Sequence, residues 1–158
     1  EFLAGEEFTT GITIDTTGKK IMSYISIKKI IKHGQTYKAF VDDFALVRES
    51  AEIFASKLGA RGAINIQAKL QGDKPVIFEV NPRFSATCPM RAVAGVNEPD
   101  IVFRNTILKE EINIKTYRKL FCMRYWNEVY IPMSSFEDTV AKGETIKDEN
   151  DSFIVDYF

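Results

Sequence analysis

The chain has 158 residues, 45% of them hydrophobic and 27% charged, with a formal net charge of −1, a balance that suits one globular domain with enough apolar surface for a core. Near neutrality excludes the basic field that nucleic acid requires and a polybasic membrane patch, and no apolar run approaches the length of a membrane span. A single histidine, His33, argues against a zinc site and a histidine-based triad, while two cysteines, Cys88 and Cys122, are too few for a disulfide framework and suit a reducing cytoplasm.

The opening Glu1-Phe-Leu-Ala-Gly-Glu-Glu7 is acidic and is not a signal peptide. Residues 7–15 and 20–32 read as two strands joined by Thr16-Thr-Gly-Lys19, with alternation through Ile21, Ser23, Ile25, Ile27 and Lys29. A register that pairs Ile14 with Ile21 sets Lys28 opposite Glu7. Lys28, Lys29, Lys32 and Lys38 are candidates for anion contact, with solvated surface lysine as the competing reading. Residues 32–38 read as a loop. Asp42 or Asp43 can cap a helix that runs to about Leu58 with Phe44, Val47, Ala51, Phe54 and Ala55 at helical spacing, and Gly59 ends it.

Gly62 to Leu70 alternates apolar Ile64, Ile66, Ala68 and Leu70 against polar Asn65, Gln67 and Lys69, the pattern of a half-buried strand. Gln71-Gly-Asp-Lys-Pro75 is a hairpin connection, and pairing Leu70 with Val76 sets Gln67 opposite Glu79 and Asn65 opposite Asn81 on one polar face. In Ile77-Phe-Glu-Val-Asn-Pro-Arg-Phe-Ser85, alternation sends Glu79 and Asn81 to one side and Phe78 and Val80 to the other. Pro82 ends ladder pairing and frees Arg83 as a cationic fork. One carboxylate and amide oxygens, followed by a guanidinium, suit a hard cation that arrives with its phosphates; the competing reading is an edge strand with a solvated polar face.

Residues 85–95 are small and polar at first, and Cys88 there reads as a packed residue, since nothing local lowers its pKa. A second helix is expected from Asn97 to Lys109, with Pro99 in its first turn. Phe121 to Ile131 reads as one long strand, Glu137 to Asp151 as loop or linker, and Phe153 to Phe158 as a short aromatic strand.

Gln67 together with Phe78-Glu-Val-Asn-Pro-Arg-Phe-Ser-Ala-Thr87 resembles the metal and phosphate motif of the ATP-grasp superfamily, in the branch similar to the carbamoyl-phosphate synthase large subunit. Glu1 to Thr9 resembles the adenine hinge of that superfamily and the strand after it. The resemblance covers about residues 1–109. It implies that backbone around Phe2 and Leu3 contacts adenine and that Glu7 accepts the ribose hydroxyls. It further implies that Gln67, Glu79 and Asn81 hold Mg²⁺ (or Mn²⁺) against the phosphates of ATP, and that Arg83 neutralises phosphate charge or a developing acyl phosphate. Lys28 and Lys38 join these as nucleotide contacts, and residues 32–38 are the place for a lid. Many relatives carry an acid where this chain has Gln67, which favours the synthase-like branch and leaves the number of metal ions open.

The expected architecture is α+β: a mainly antiparallel sheet with helices packed on one face, forming the C-terminal half of an ATP-grasp fold. Residues 1–110 form that partial domain, and 111–158 form a C-terminal extension packed on it. The expected function is the nucleotide- and Mg-binding portion of a cytoplasmic ATP-dependent carboxylate–amine ligase that works through an acyl phosphate. Its expected partners are ATP, a small carboxylate and an amine, the missing N-terminal half, and allowance is made for a homo-oligomer. The glycine-rich loop and phosphate-gripping lysines of the family lie upstream of the hinge, so the isolated chain is expected to be a fragment with poor turnover. A non-catalytic ATP-binding regulatory module and an interaction domain are the alternatives.

Overall fold

The computed structural model describes residues 3–125, 129–143 and 153–154, the last pair in backbone only. Contacts divide the chain into two compact units, Glu1–Arg124 and Tyr125–Phe158. Residue 110 lies inside the first unit, because a strand beyond it completes the sheet.

Alternating apolar and polar residues build six strands in this unit: β1 (Glu6–Ile14), β2 (Ile21–Lys32), β3 (Gln35–Val41), β4 (Gly62–Gln71), β5 (Lys74–Asn81) and β6 (Leu120–Met123). They form one sheet in the order β5-β4-β1-β2-β3-β6, with every neighbouring pair antiparallel. Central β1 is buried on both faces, so its hydroxyls need internal partners. Thr10 and Ser26 share a hydrogen bond of 2.9 Å, and Thr13 and Ser23 one of 2.6 Å.

On one face, here the back, Phe8, Ile12, Ile14, Ile64, Ile66 and Ala68 pack under helix α1 (Ala45–Leu58) through Val47, Ala51 and Ala55. On the other, the front, Ile25, Ile27, Ala39 and Val41 meet Met90 and Ala94 of α2 (Cys88–Ala94), Val96, and Ile101 of α3 (Glu98–Thr106). The fold is the expected mainly antiparallel α+β sheet, but placement of the helices on one face holds for α1 alone. Strands β1 and β2 together present apolar side chains on both faces, and one helical layer would leave Ile25 and Ile27 open to water. Helix α2 escapes a periodicity search because it has only seven residues.

Local details also depart from the sequence reading. Phe44, not Asp42 or Asp43, stands at the α1 N-cap, and Asp42 Oδ1 accepts from the Asp43 amide at 2.7 Å. Gly59 closes α1 at φ 67°, as its position foretold. Residues 32–38 are no loop: β2 runs to Lys32, His33 and Gly34 turn the chain at φ 51° and 75°, and β3 begins at Gln35. Two successive residues with positive φ make the tight hairpin that antiparallel twist favours.

In the second unit β7 (Val129–Tyr130) pairs with β8 (Phe153–Ile154), and α4 (Met133–Lys142) ends on Gly143 at φ 68°. The long strand expected over 121–131 is therefore two strands of different sheets. The stretch expected as loop from Glu137 begins inside α4, and its residues 144–151, like the end of the aromatic strand at 155–158, lie outside the described residues. Among the described residues no helix is long and apolar enough to cross a membrane.

Candidate functional site

The β4–β5 hairpin closes at Gln71 and Lys74, with Leu70 paired to Pro75 and Ala68 to Ile77. Phe78 is then an extra residue, and this bulge restores Gln67 opposite Glu79 and Asn65 opposite Asn81. The expected pairing of Leu70 with Val76 is thus one residue off at the turn, yet the polar end has the register it set. The bulge also turns Ile77 and Val80 into the core and leaves Phe78 41% exposed.

At the open end of the front face, Asn81 Nδ2 donates to Glu79 Oε1 at 2.6 Å, a bond that leaves the Asn81 carbonyl oxygen unused. Gln67 Oε1 accepts from Lys29 Nζ, and the same ammonium pairs with Glu7 Oε1 at 2.7 Å. Glu7, Lys29 and Gln67 therefore form one polar chain across β1, β2 and β4. A second bulge, with Met22 as the extra residue, makes Lys29 rather than Lys28 the partner of Glu7. Lys28 donates to Glu6 at 3.0 Å and lies 5.1 Å from the Phe40 ring. By register Lys28 and Lys38 belong to the back face, with Lys38 5.7 Å from the Tyr37 ring. The carbonyl of Leu3 accepts from Lys69 Nζ at 2.6 Å, while Phe2 lies outside the described residues.

Beyond Pro82, Arg83 donates to the Phe84 carbonyl at 3.0 Å and borders a cavity of about 320 Å³ with Lys29, Asn65, Gln67, Thr87 and Arg124. The structure thus gathers Glu7, Gln67, Glu79, Asn81 and Arg83 on or beyond the front face, and separates Lys28 and Lys38 from them.

The closed end of this face is occupied by Arg91, which is fully buried. Its Nη1 donates to both Glu98 oxygens at 3.0 and 3.1 Å, and its Nη2 donates to Thr9 Oγ1 at 3.0 Å and Asn65 Oδ1 at 2.8 Å. Gly11 makes room for this pair, since a Cβ there would lie 2.0 Å from Glu98 Oε1 and 2.1 Å from Arg91 Nη1. Burial, reinforced by the Glu98 carboxylate, pushes the Cys88 thiol up to about 11, so Cys88 is a protonated packing residue.

One carboxylate and two side-chain amides on adjacent strands make an oxygen donor set for a hard cation that brings phosphate ligands with it. Among the described residues no three His, Cys, Asp or Glu side chains cluster as an independent metal site. Sequence reasoning missed the grip of Lys29, because a bulge inside an alternating strand leaves no mark in composition. It also missed Arg91 and Arg124, which reach this face from a short helix and from the far edge strand.

The model of the family described as "ATP-grasp in the biosynthetic pathway with Ter operon" matches residues 1–129. Among curated proteins, the chain is 49% identical to the carbamoyl phosphate synthase large chain of Pseudomonas putida over 44% of its own length and 8% of that protein, so it spans a small part of this relative. Its fold superposes on the phosphoribosylaminoimidazole carboxylase ATPase subunit of Aquifex aeolicus with a TM-score of 0.67 at 18% identity, covering 88% of this chain and 47% of that one. N5-carboxyaminoimidazole ribonucleotide synthetase from Thermus thermophilus superposes with a TM-score of 0.64 at 13% identity, over 87% and 40% of the two chains. With its antiparallel sheet, its motif strand and these matches, the chain belongs to the ATP-grasp superfamily, in the branch like the carbamoyl phosphate synthase large chain.

Proposed function

We propose that this chain supplies the metal- and phosphate-binding half of an ATP-dependent carboxylate–amine ligase, carried by the unit Glu1–Arg124. The observation that carries this reading is the register that sets Gln67 opposite Glu79, next to Asn81, with Arg83 just beyond on a cavity rim. Gln67, Glu79 and Asn81 would hold Mg²⁺ or Mn²⁺, which when bound neutralises phosphate oxygens. Arg83 offers a planar fork to the transferred phosphoryl group, where charge stabilisation dominates catalysis. Glu7 takes the ribose hydroxyls, with Lys29 holding its carboxylate in place. Backbone at Phe2 and Leu3 meets the adenine. We assign the anion contact of this face to Lys29 in place of Lys28 and Lys38.

In the proposed reaction a substrate carboxylate oxygen bonds to the γ-phosphorus as the bond to ADP breaks. The amine nitrogen then bonds to the acyl carbon, loses a proton and expels phosphate. No side-chain nucleophile takes part. The missing N-terminal half closes the other side of the nucleotide, so turnover belongs to the longer protein.

Calorimetric titration of Mg-ATP into the chain extended by its upstream residues tests this. Metal-dependent binding that drops tenfold or more in Glu79→Ala and in Arg83→Ala is expected. Binding indifferent to both substitutions, or no binding, overturns the assignment. ATP hydrolysis that requires a carboxylate substrate separates a ligase from a silent nucleotide-binding module.

A further inference from the structure

The sheet ends on two edges of opposite character. Edge strand β5 carries the protections that discourage pairing with another chain: Pro75, charged Lys74 and Glu79, and the bulge at Phe78. The other edge, β6, reads Leu120-Phe-Cys-Met123, with no proline, charge or bulge. Its inner side is fixed, since the Arg124 amide donates to the Tyr37 carbonyl at 2.9 Å while Cys122 and Leu120 face Ala39 and Val41. Hydrogen bonding alternates along an antiparallel ladder, so Phe121 and Met123 turn their N–H and C=O outward, where no strand meets them among the described residues.

An apolar groove runs beside this edge. Helix α2 lies alongside β6: Arg118, before the strand, donates to the Val93 carbonyl, and Arg124, after it, donates to the Ala86 carbonyl. Val41, Pro89, Met90, Leu120 and Cys122 line a groove of about 500 Å³, with Val93 62% exposed on its wall. On the back, Phe121 and Met123 are 52% and 60% exposed, and the Phe121 ring lies 4.8 Å from that of Phe40. Charge marks the two ends. Arg118 and Arg124 have no acidic partner among the described residues, whereas Lys119 pairs with Asp42 at 2.6 Å. An apolar strand is thus bracketed by two guanidiniums that carbonyl tethers aim without neutralising.

We infer that β6 takes an additional strand from a partner protein, an extended segment with apolar residues between two carboxylates, and that the groove between α2 and β6 receives its alternate side chains. Arg118 and Arg124 set the spacing: both belong to the front face, roughly 20 Å apart along an extended strand, so the carboxylates stand about six residues apart. Main-chain bonds to Phe121 and Met123 hold such a segment, the groove selects its apolar residues and the guanidiniums select its ends. A second copy of β6 does not fit. Two-fold pairing of identical strands is antiparallel and sets Arg118 or Lys119 of one copy against Arg124 of the other, like charge on like. The surface lies at the edge of the sheet opposite β5, so the inference stands apart from the ligase reading.

NMR titration of the labelled full chain tests this with a synthetic heptapeptide, glutamate at both ends and threonine alternating with leucine between. At saturation the Phe121 and Met123 amides are expected to exchange with solvent at least tenfold more slowly. The same peptide N-methylated at its threonines, which face Phe121 and Met123, cannot complete the ladder and should fail to bind the unaltered chain. Met123→Pro removes one outward N–H, spares the inward ladder and should weaken binding tenfold or more. Arg118→Glu should weaken the glutamate-ended peptide by a similar factor and favour a lysine-ended one; Arg124 is left in place because it also borders the cavity beside Arg83. Unchanged exchange at Phe121 and Met123, equal binding of the glutamate- and lysine-ended peptides, or full binding of the N-methylated peptide overturns the proposal. So does sedimentation that shows the chain alone to be a dimer with those two amides already protected, which would give the edge to a second copy.

Discussion

Asn65 and Gln67 sit two residues apart on β4, on the same face of the sheet, and meet opposite fates. Asn65 is buried, and its carbonyl oxygen takes hydrogen bonds from Thr9 and Arg91. Gln67, beside the same cavity as Asn65, is only half-buried and faces Glu79 on an edge strand whose carboxylate is exposed. The same polar alternation thus serves structure at one end and, in the function proposed, a ligand at the other. What separates them is cover: α2 and α3 close over Asn65 and must satisfy every group they bury, while nothing in the unit obliges Glu79 or Asn81 to find a cation.

The closed end should respond to substitution with the largest loss of stability. Arg91→Met leaves the Glu98 carboxylate buried without its cation and is expected to cost about 3–5 kcal/mol in urea unfolding. Replacing both, Arg91→Met with Glu98→Leu, should cost less than either single change, because no orphaned charge remains. If the double variant is the worse one, the pair is more than a self-satisfied bridge and the contrast drawn here is wrong.

The open end should behave in the reverse way. Glu79→Ala removes an exposed side chain and should leave unfolding free energy within about 0.5 kcal/mol of wild type. A large stability loss there would show that the motif strand is held by its polar side chains and erase the distinction between the two ends. The remaining effect is on a rate. With the Cys88 thiol pushed up to about 11, alkylation of Cys88 by iodoacetamide at pH 8 should run on the order of tenfold slower than for a thiol titrating at the ordinary 9.0, because the smaller thiolate fraction outweighs the greater reactivity of a more basic thiolate, and it should rise about tenfold per pH unit. Fast alkylation at pH 8 would mean that the closed end opens to solvent.

Much of this was legible in the chain because it depends on near neighbours. Alternation in Ile64, Asn65, Ile66 and Gln67 assigns faces without knowledge of the rest of the protein, and Gly59 stops a helix by its own backbone freedom. The motif Glu79, Asn81, Pro82 and Arg83 is compact enough to be read whole. Registers were harder. The extra residues at Met22 and Phe78 moved pairing by one, which took Lys28 away from Glu7 and put Lys29 there. A bulge costs little locally and is chosen by the twist and packing of the whole sheet, so alternation cannot announce it.

The sequence by itself determined the family, the antiparallel character of the sheet and the strand that holds Glu79 and Asn81, the groups proposed to meet metal and phosphate, since each rests on short-range pattern and on residue chemistry. Tertiary structure alone decided that helices cover both faces, that Arg91 and Glu98 lock the closed end through the gap at Gly11, and that Arg124 joins Arg83 beside one cavity. Gly11 and the Arg91–Glu98 pair, like Arg83 and Arg124, lie far apart in the chain, and only the closure of the sheet, which burial of apolar surface on both faces drives, brings them within reach.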